Sequence, residues 1–165
     1  MRAAQRAVYD RYASTLFAVS LRYARDRAEA EDFAQEAWLR IFRKLDTFRF
    51  GGSLEGWLRR VTVTTALRGI ERRGIRFDEL PDRSAALPHS DPTAVARLSA
   101  DELRGYIAEL PEGYRVVFNL YAVEGYSHKE IAAELDITDG TSRSQLTKAR
   151  RMLQRRLAKL LPVCL

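Results

Sequence analysis

Five polar side chains near the C-terminus have the types and spacing needed to read duplex DNA. Arginine and lysine donate to guanine edges and phosphates, serine bonds without base preference, and a threonine methyl can meet a thymine methyl. On a helix they face away from a stripe formed by Ser142, Leu146, Ala149 and Leu153. A recognition helix needs this division, because one side packs while the other meets the bases. The five residues are Arg143, Ser144, Thr147, Lys148 and Arg151.

The same end of the chain is strongly basic. The chain has 165 residues and a net charge of +6, and no Asp or Glu follows Gly140. A run of like charge repels itself unless it is neutralised, and phosphates commonly do this. A solvated basic face on an amphipathic helix is the simpler alternative. The basic residues after Gly140 are Arg143, Lys148, Arg150, Arg151, Arg155, Arg156 and Lys159.

A shorter helix is predicted directly before this one. Ser127 and Glu130 have the spacing of a capping box at its start. A short turn follows, and Thr138 or Asp139 caps the longer helix. Two helices joined in this way predict a helix-turn-helix that binds duplex DNA, within about residues 127 to 156. The expected buried face of the first helix is Ile131, Ala132 and Leu135.

A second polar group lies near the N-terminus, on a helix expected to start near Asp26. Asp32 and Glu36 are one helical turn apart, Gln35 lies beside them, and Arg40 extends the same side. Taken alone, this group is most simply a solvated charged face. The apolar stripe of the same helix is Ala30, Phe33, Ala34, Ala37, Trp38, Ile41, Phe42 and Leu45.

These elements predict an all-α fold of two small helical domains joined by a flexible linker. The domains are expected at residues 1–73 and 99–165, and the linker at 74–98 contains Pro81, Pro88 and Pro92. Ser53 should cap a helix in the first domain. In the second, one helix should span about Asp101 to Leu110 before Pro111, and Gly125 should end the next.

Other classes of function find little support in the composition. The single cysteine, Cys164, excludes a disulfide within the chain, and we expect a cytoplasmic protein because neither a signal peptide nor a membrane span is evident. His89 and His128 have no Cys or His neighbours at ligand spacing, so no metal site is predicted. A phosphate-handling or nucleic-acid-cleaving enzyme would need a phosphate loop or a nucleophile with its base, and neither is present.

Several segments of the chain resemble bacterial sigma factors. Residues 110–115, 124–132 and 140–146 resemble region four of the sigma-70 family, most closely its extracytoplasmic-function (ECF) group. Asp32 to Arg40 resembles region two. The resemblance implies a subunit that binds core RNA polymerase, directs it to promoters and helps to open the duplex. It implies no enzyme activity, because the polymerase does the chemistry.

The resemblance also assigns roles to residues. Asp32, Gln35 and Glu36 match positions that contact the β′ coiled coil of core polymerase, and Arg40 extends that side. The β flap is a further contact of the family on the polymerase. The recognition-helix set Arg143, Ser144, Thr147, Lys148 and Arg151 would meet the upstream (−35) element, with Arg151 more simply a phosphate contact or a solvent-facing residue.

The downstream (−10) element would be read by residues 47–53 and by the helix of residues 57–73. Flipped bases need a pocket and the strand needs positive charge, which is supplied by Arg59, Arg60, Arg68, Arg72 and Arg73. Together with Thr64, which the resemblance places at a base-reading position, the expected contacts are Arg59, Arg60, Thr64, Arg68 and Arg72. Phe48, Phe50 and Trp57 could stack on bases, although Trp57 also fits the apolar stripe of a core. The family commonly has Asn at Thr64 and Asp at Arg68, so the base preference is left open.

The partners implied are core RNA polymerase, promoter DNA and an anti-sigma factor, with no cofactor and no small-molecule substrate. The main alternative is a helix-turn-helix regulator that does not associate with core polymerase. A response regulator would need an α/β domain upstream, where the sequence predicts helices. A nucleoid protein would bind DNA without promoter preference.

Overall fold

The computed structural model describes residues 2–49, 51–77 and 100–158. These residues form seven α-helices and no strand, which confirms the all-α prediction. Their contacts divide the chain into two compact units, Met1–Ile75 and Arg76–Leu165. Most of the predicted linker lies outside the described residues, so its flexibility and the exact domain boundaries stay predictions.

The first unit is a bundle in which each of three helices packs on the other two. The helices are α1 (Arg2–Tyr23), α2 (Arg27–Lys44) and α3 (Leu54–Arg72), and a 3-10 turn (Leu45–Thr47) follows α2. Leu16, Trp38, Ile41 and Leu58 form a buried cluster between them. Burial of these apolar side chains is the main source of the stability of the bundle.

Two helix starts in this unit agree with the prediction. Asp26 accepts a hydrogen bond from the Glu29 backbone N–H at 2.8 Å, and Ser53 accepts one from Gly56 at 3.3 Å. Each bond satisfies a backbone donor that has no partner within the helix. The caps therefore fix the residues at which α2 and α3 begin. The start of each helix in turn determines which residues lie on its polar face.

Helix α3 runs unbroken through a stretch of β-branched residues. Thr62 and Thr65 are buried, and their hydroxyls donate to the carbonyls of Leu58 and Val61 at 3.0 and 2.7 Å. The hydroxyls are thereby satisfied inside the bundle, which removes the cost of burying them.

The second unit packs its other helices around a long C-terminal helix. The helices are α4 (Ala100–Ala108), α5 (Glu112–Phe118), α6 (His128–Leu135) and α7 (Asp139–Ala158), with a π-helical turn (Asn119–Val123) after α5. Leu110, Tyr114, Ala149 and Leu153 form its core cluster. Helix α7 packs against α4, α5 and α6, so this core positions the outward side of α7.

Some details of the second unit differ from the prediction. Helix α4 ends at Ala108 rather than near Leu110, and α5 gives way to the π turn well before Gly125. Gly125 has φ +75°, a left-handed conformation that glycine adopts at no steric cost, so it serves the turn after the helix. Of the predicted buried face of α6, only Ile131 is fully buried. Ala132 and Leu135 are half-buried at the helix surface.

Candidate polymerase-binding and DNA-binding surfaces

The helix-turn-helix is built from local hydrogen bonds at its predicted positions. Ser127 Oγ accepts from the Glu130 N–H at 3.2 Å, and the Glu130 carboxylate accepts from the Ser127 N–H at 2.9 Å. This completes the capping box at the start of α6. Thr138 Oγ1 accepts from the Thr141 N–H at 3.0 Å at the start of α7. Asp136 lies between them in the left-handed region (φ 52°), which reverses the chain within a few residues.

The predicted recognition set lies on one side of α7. Arg143, Ser144, Thr147 and Arg151 are exposed, and Lys148 is half-buried. The predicted packing stripe, Ser142, Leu146, Ala149 and Leu153, is buried on the opposite side. The Thr147 hydroxyl donates to the Arg143 carbonyl at 3.0 Å, so this hydroxyl is used within the helix. The structure therefore brings all five residues together on one outward face.

A cluster around His128 was not expected from the sequence. The His128 ring stacks on Tyr121 with centroids 4.5 Å apart, and its Nδ1 shares a hydrogen bond with the buried Ser142 Oγ at 2.9 Å. Arg150 lies over the ring of Tyr121, with its Cζ 5.6 Å from the centre of that ring. The cluster ties the start of α6 to the start of α7 and so holds the geometry of the helix-turn-helix.

The same surroundings disfavour the charged form of His128. Burial lowers the pKa of His128, and the positive charges of Arg143 and Arg150 lower it further, against the opposing effect of Asp139. The folded second unit therefore favours the neutral form of the His128 imidazole over the charged form.

The predicted polymerase-binding residues share the outward side of α2. Asp32 and Gln35 are exposed, whereas Glu36 and Arg40 are half-buried. Glu36 accepts hydrogen bonds from Arg40 Nη2 at 2.5 Å and from Arg72 Nη2 at 2.9 Å. The Arg72 bond is the largest cause that lowers the pKa of Glu36, with Arg40 adding to it against the effect of burial. Glu36 is thus a fixed, charged acceptor that links α2 to α3.

Four of the five predicted strand-binding residues follow one line along α3. Arg60, Thr64, Arg68 and Arg72 are spaced four apart, which places them along one side of the helix. Arg59 is not part of this line, because it lies about 100° around the helix from Arg60. It is half-buried and pairs with Glu55 at 3.3 Å. The Thr64 hydroxyl donates to the carbonyls of Arg60 and Val61 at 2.9 and 3.1 Å.

Two of the three aromatic residues predicted to stack on bases, Phe48 and Trp57, are half-buried in the first unit. Trp57 is half-buried and packs against the core cluster of Leu16, Trp38, Ile41 and Leu58, as the alternative interpretation proposed. Phe48 contacts it with ring centroids 5.5 Å apart. Phe50, the third predicted stacking residue, lies outside the described residues.

Comparison with known proteins identifies the family. The Sigma-70 region 2 family model matches residues 8–75, and the Sigma-70, region 4 model matches residues 100–153. The ECF RNA polymerase sigma factor SigE of Mycolicibacterium smegmatis is 34% identical over 154 residues, which are 90% of this chain and 59% of that protein. The RNA polymerase sigma-H factor of Pseudomonas aeruginosa is 30% identical over 164 residues, which are 92% of this chain and 84% of that protein. The chain belongs to the sigma-70 family of RNA polymerase sigma factors, in the ECF group.

Two solved structures share the fold. The sigma factor RpoE in complex with the anti-sigma factor NepR from Bartonella quintana has a TM-score of 0.57 and 22% identity, covering 95% of this chain and 98% of that one. CnrH in complex with the cytosolic domain of CnrY has a TM-score of 0.52 and 20% identity, covering 98% of this chain and 92% of that one.

The region 2 match disfavours the alternative of a helix-turn-helix regulator that does not associate with polymerase, because a helix-turn-helix alone does not account for that match.

The described residues contain neither a membrane-spanning helix nor a metal-binding cluster. None of their helices has both the length and the apolar character required to cross a bilayer. No cluster of His, Cys, Asp and Glu within residues 2–49, 51–77 and 100–158 has the arrangement of a metal site.

Proposed function

We propose that this sigma factor attaches to core RNA polymerase through α2, holds the opened promoter strand along α3 and reads the upstream element with α7. The observation that carries the proposal is the two-sided character of α7. Its predicted base-reading residues face outward, while the buried stripe opposite them fixes the helix on the second unit. A helix held in this way can enter the major groove with little rearrangement.

The polymerase-binding surface would combine polar groups with one apolar side chain. Asp32, Gln35 and Leu39 follow the i, i+3, i+7 spacing of one helix face, and Leu39 is 54% exposed. An exposed leucine among polar groups is well suited to the buried centre of a protein interface, with the polar groups at its rim. The paired Glu36 would add an acceptor that is already oriented, so little side-chain entropy is lost on binding.

The strand-holding surface would act mainly through charge. Arg60, Arg68 and Arg72 lie along the same side of α3, and a single strand that follows this line would bring its phosphates to them. Thr64 lies on the same line, but its hydroxyl donates to its own helix. We therefore propose that Thr64 contacts the strand without the two-point base reading that an asparagine at this position could provide.

The remaining parts of the proposal follow from the family. The chain itself would catalyse no reaction, and it would act in the cytoplasm, where polymerase and promoters are. A solved relative of this fold is described in complex with an anti-sigma factor, so we propose a partner of that class here as well. Domain boundaries near residues 73 and 98 are part of the same proposal.

Two variants test whether the first unit binds core polymerase while the second unit reads the promoter. Asp32→Ala should weaken binding of the full chain to core polymerase about tenfold, in the range of a polar interface residue. Arg143→Ala should leave that affinity within about twofold and lower promoter discrimination instead, because a bidentate base contact discriminates by about 1–3 kcal/mol. If both variants lose both activities equally, the proposed separation is wrong.

A further inference from the structure

A carboxylate lies beside the arginine at the beginning of the recognition helix. Arg143 Nε donates to Asp139 Oδ2 at 2.8 Å, one helical turn back along α7. The Arg143 side chain is 63% exposed and that of Asp139 is 39% exposed, so the pair lies at the rim of the DNA-facing side. From this contact we propose that Asp139 is a positioning residue, which aims Arg143 at a guanine and so sets the base preference of α7.

The usual role of an acidic residue at a helix start does not account for this contact. Such residues cap the helix, but the cap of α7 is Thr138, whose Oγ1 accepts from the Thr141 N–H at 3.0 Å. The Asp139 carboxylate is therefore available to Arg143. Its second oxygen, Oδ1, is buried and has no hydrogen-bond partner among the described residues. Burial of Oδ1 limits the positions that the carboxylate can adopt, and thereby those of the guanidinium.

The atom that Arg143 uses in this contact determines what it can offer to DNA. A guanidinium carries five N–H donors in a planar fork, and the bond to Asp139 engages the one on Nε. The two terminal nitrogens stay together at the outer end of the fork. A pair of parallel donors matches N7 and O6 of guanine in the major groove, whereas other bases present a different pattern.

The charge of Asp139 has a second consequence. A free arginine at this position is attracted to any phosphate, which adds affinity for all sequences alike. The carboxylate offsets that attraction and repels nearby phosphates. Asp139 should therefore lower the affinity of α7 for unrelated DNA while it raises the preference for the correct base.

This inference rests on the proposed function, because it takes α7 to read the upstream element. The test uses holoenzyme reconstituted from the full chain and core polymerase of the source bacterium. Bound duplexes would be selected from a library randomised across the upstream element, and affinity for an unrelated duplex would be measured alongside. The variants are Asp139→Ala, Asp139→Glu, Arg143→Ala and the double variant.

The matched control is Asp10→Ala on α1. Asp10 forms the same kind of exposed i, i+4 pair, with Arg6 at 2.9 Å, and its loss changes the net charge by the same amount. This control separates the contact with Arg143 from a general effect of added positive charge.

Arg143→Ala should lower the guanine preference at one position about tenfold or more, as for loss of a bidentate contact. Asp139→Ala should lower the preference at that same position about threefold to tenfold and raise affinity for unrelated DNA about twofold. The double variant should lose no more preference than Arg143→Ala alone, and Asp139→Glu should retain part of the preference. Asp10→Ala should change none of these quantities.

Two results would overturn the inference, and they differ in what they say about the proposed function. If Asp139→Ala keeps the wild-type preference while Arg143→Ala loses it, Asp139 does not position Arg143, and the role of α7 stands. If Arg143→Ala also keeps the preference, the assignment of Arg143 fails together with the inference. Should Asp139→Ala destabilise α7, Asp139→Ser provides the same test, because serine is accepted at helix starts and is too short to reach Arg143.

Discussion

Glu36 on α2 and Arg72 on α3 form a hydrogen-bonded ion pair, with Arg72 Nη2 2.9 Å from Glu36 Oε2. The two residues are far apart in sequence and belong to different proposed surfaces, one for polymerase and one for the opened strand. The pair therefore joins the two surfaces in the folded first unit. The Arg72 side chain is 62% exposed, so solvent screens the pair and its contribution to stability is small, about 0.2–1 kcal/mol.

Substitution of Glu36 and substitution of Arg72 should weaken different binding activities. Glu36→Gln should weaken binding to core polymerase about tenfold, because it removes a charged acceptor from the interface. Arg72→Gln should leave core affinity within about twofold and weaken capture of the single strand instead. Titration calorimetry with core polymerase and anisotropy with a labelled forked template measure the two effects. Equal loss of core affinity in both variants would show that Glu36 acts only through the pair.

Asp32 should be a direct contact whose loss leaves the fold intact. Asp32 is exposed, so Asp32→Ala should change the melting temperature by less than about 2 °C while it weakens core binding. Glu31→Ala is the control, since Glu31 is also exposed but lies about 100° around the helix and pairs with Arg27. A comparable loss of core affinity in Glu31→Ala would argue for general electrostatics in place of a specific contact.

Arg68 should contact phosphate and not a base. Arg68→Ala in reconstituted holoenzyme should weaken binding to the single-stranded downstream element by a similar factor for all sequences. The slope of log affinity against log salt should become shallower by about 0.7, as for one phosphate contact on a single strand. Arg6→Ala, on the exposed surface of α1, should leave the slope unchanged. A loss confined to one base sequence would instead make Arg68 a base reader.

Acid should loosen the helix-turn-helix through His128. Because the fold lowers the pKa of His128 below its ordinary value of 6.5, the folded state binds fewer protons than the unfolded state. The stabilising effect is complete above pH 6.5 and is lost as the pH falls through and below that value. Hydrogen exchange of α6 and α7 amides should therefore accelerate between pH 7.5 and pH 5, after correction for the intrinsic pH dependence of exchange.

The variant His128→Gln provides the comparison for this effect. It removes the titrating group while it keeps a polar, uncharged side chain at the position that bonds Ser142. The extra exchange at low pH should be absent in this variant. If the variant and the wild type respond to pH alike, another group is responsible.

Local features of the fold were predictable because they depend on residues close together in sequence. The capping box of Ser127 and Glu130 and the cap at Ser53 depend on spacings of three residues, and both are present in the structure. The two faces of α7 follow from helical periodicity alone. These local rules were sufficient to place the recognition set on one outward surface.

Features that depend on distant residues could not be predicted in the same way. The bonds between Glu36 and Arg72 and between His128 and Ser142 depend on how helices pack, which no single segment encodes. The contact of Asp139 with Arg143 is local, and the i, i+4 spacing of opposite charges was the signal that could have revealed it. The π turn at Asn119–Val123 has no simple sequence signature, and it displaced the expected end of α5.

The most direct test of the account is transcription by the reconstituted holoenzyme. The purified chain would be mixed with core RNA polymerase and a library of promoter templates, and run-off transcripts would be sequenced. If the chain directs core polymerase as proposed, transcripts should start downstream of a shared pair of upstream and downstream elements, should require the chain, and should be reduced with Asp32→Ala. Transcripts that are absent, or that arise equally from all templates with and without the chain, would contradict it.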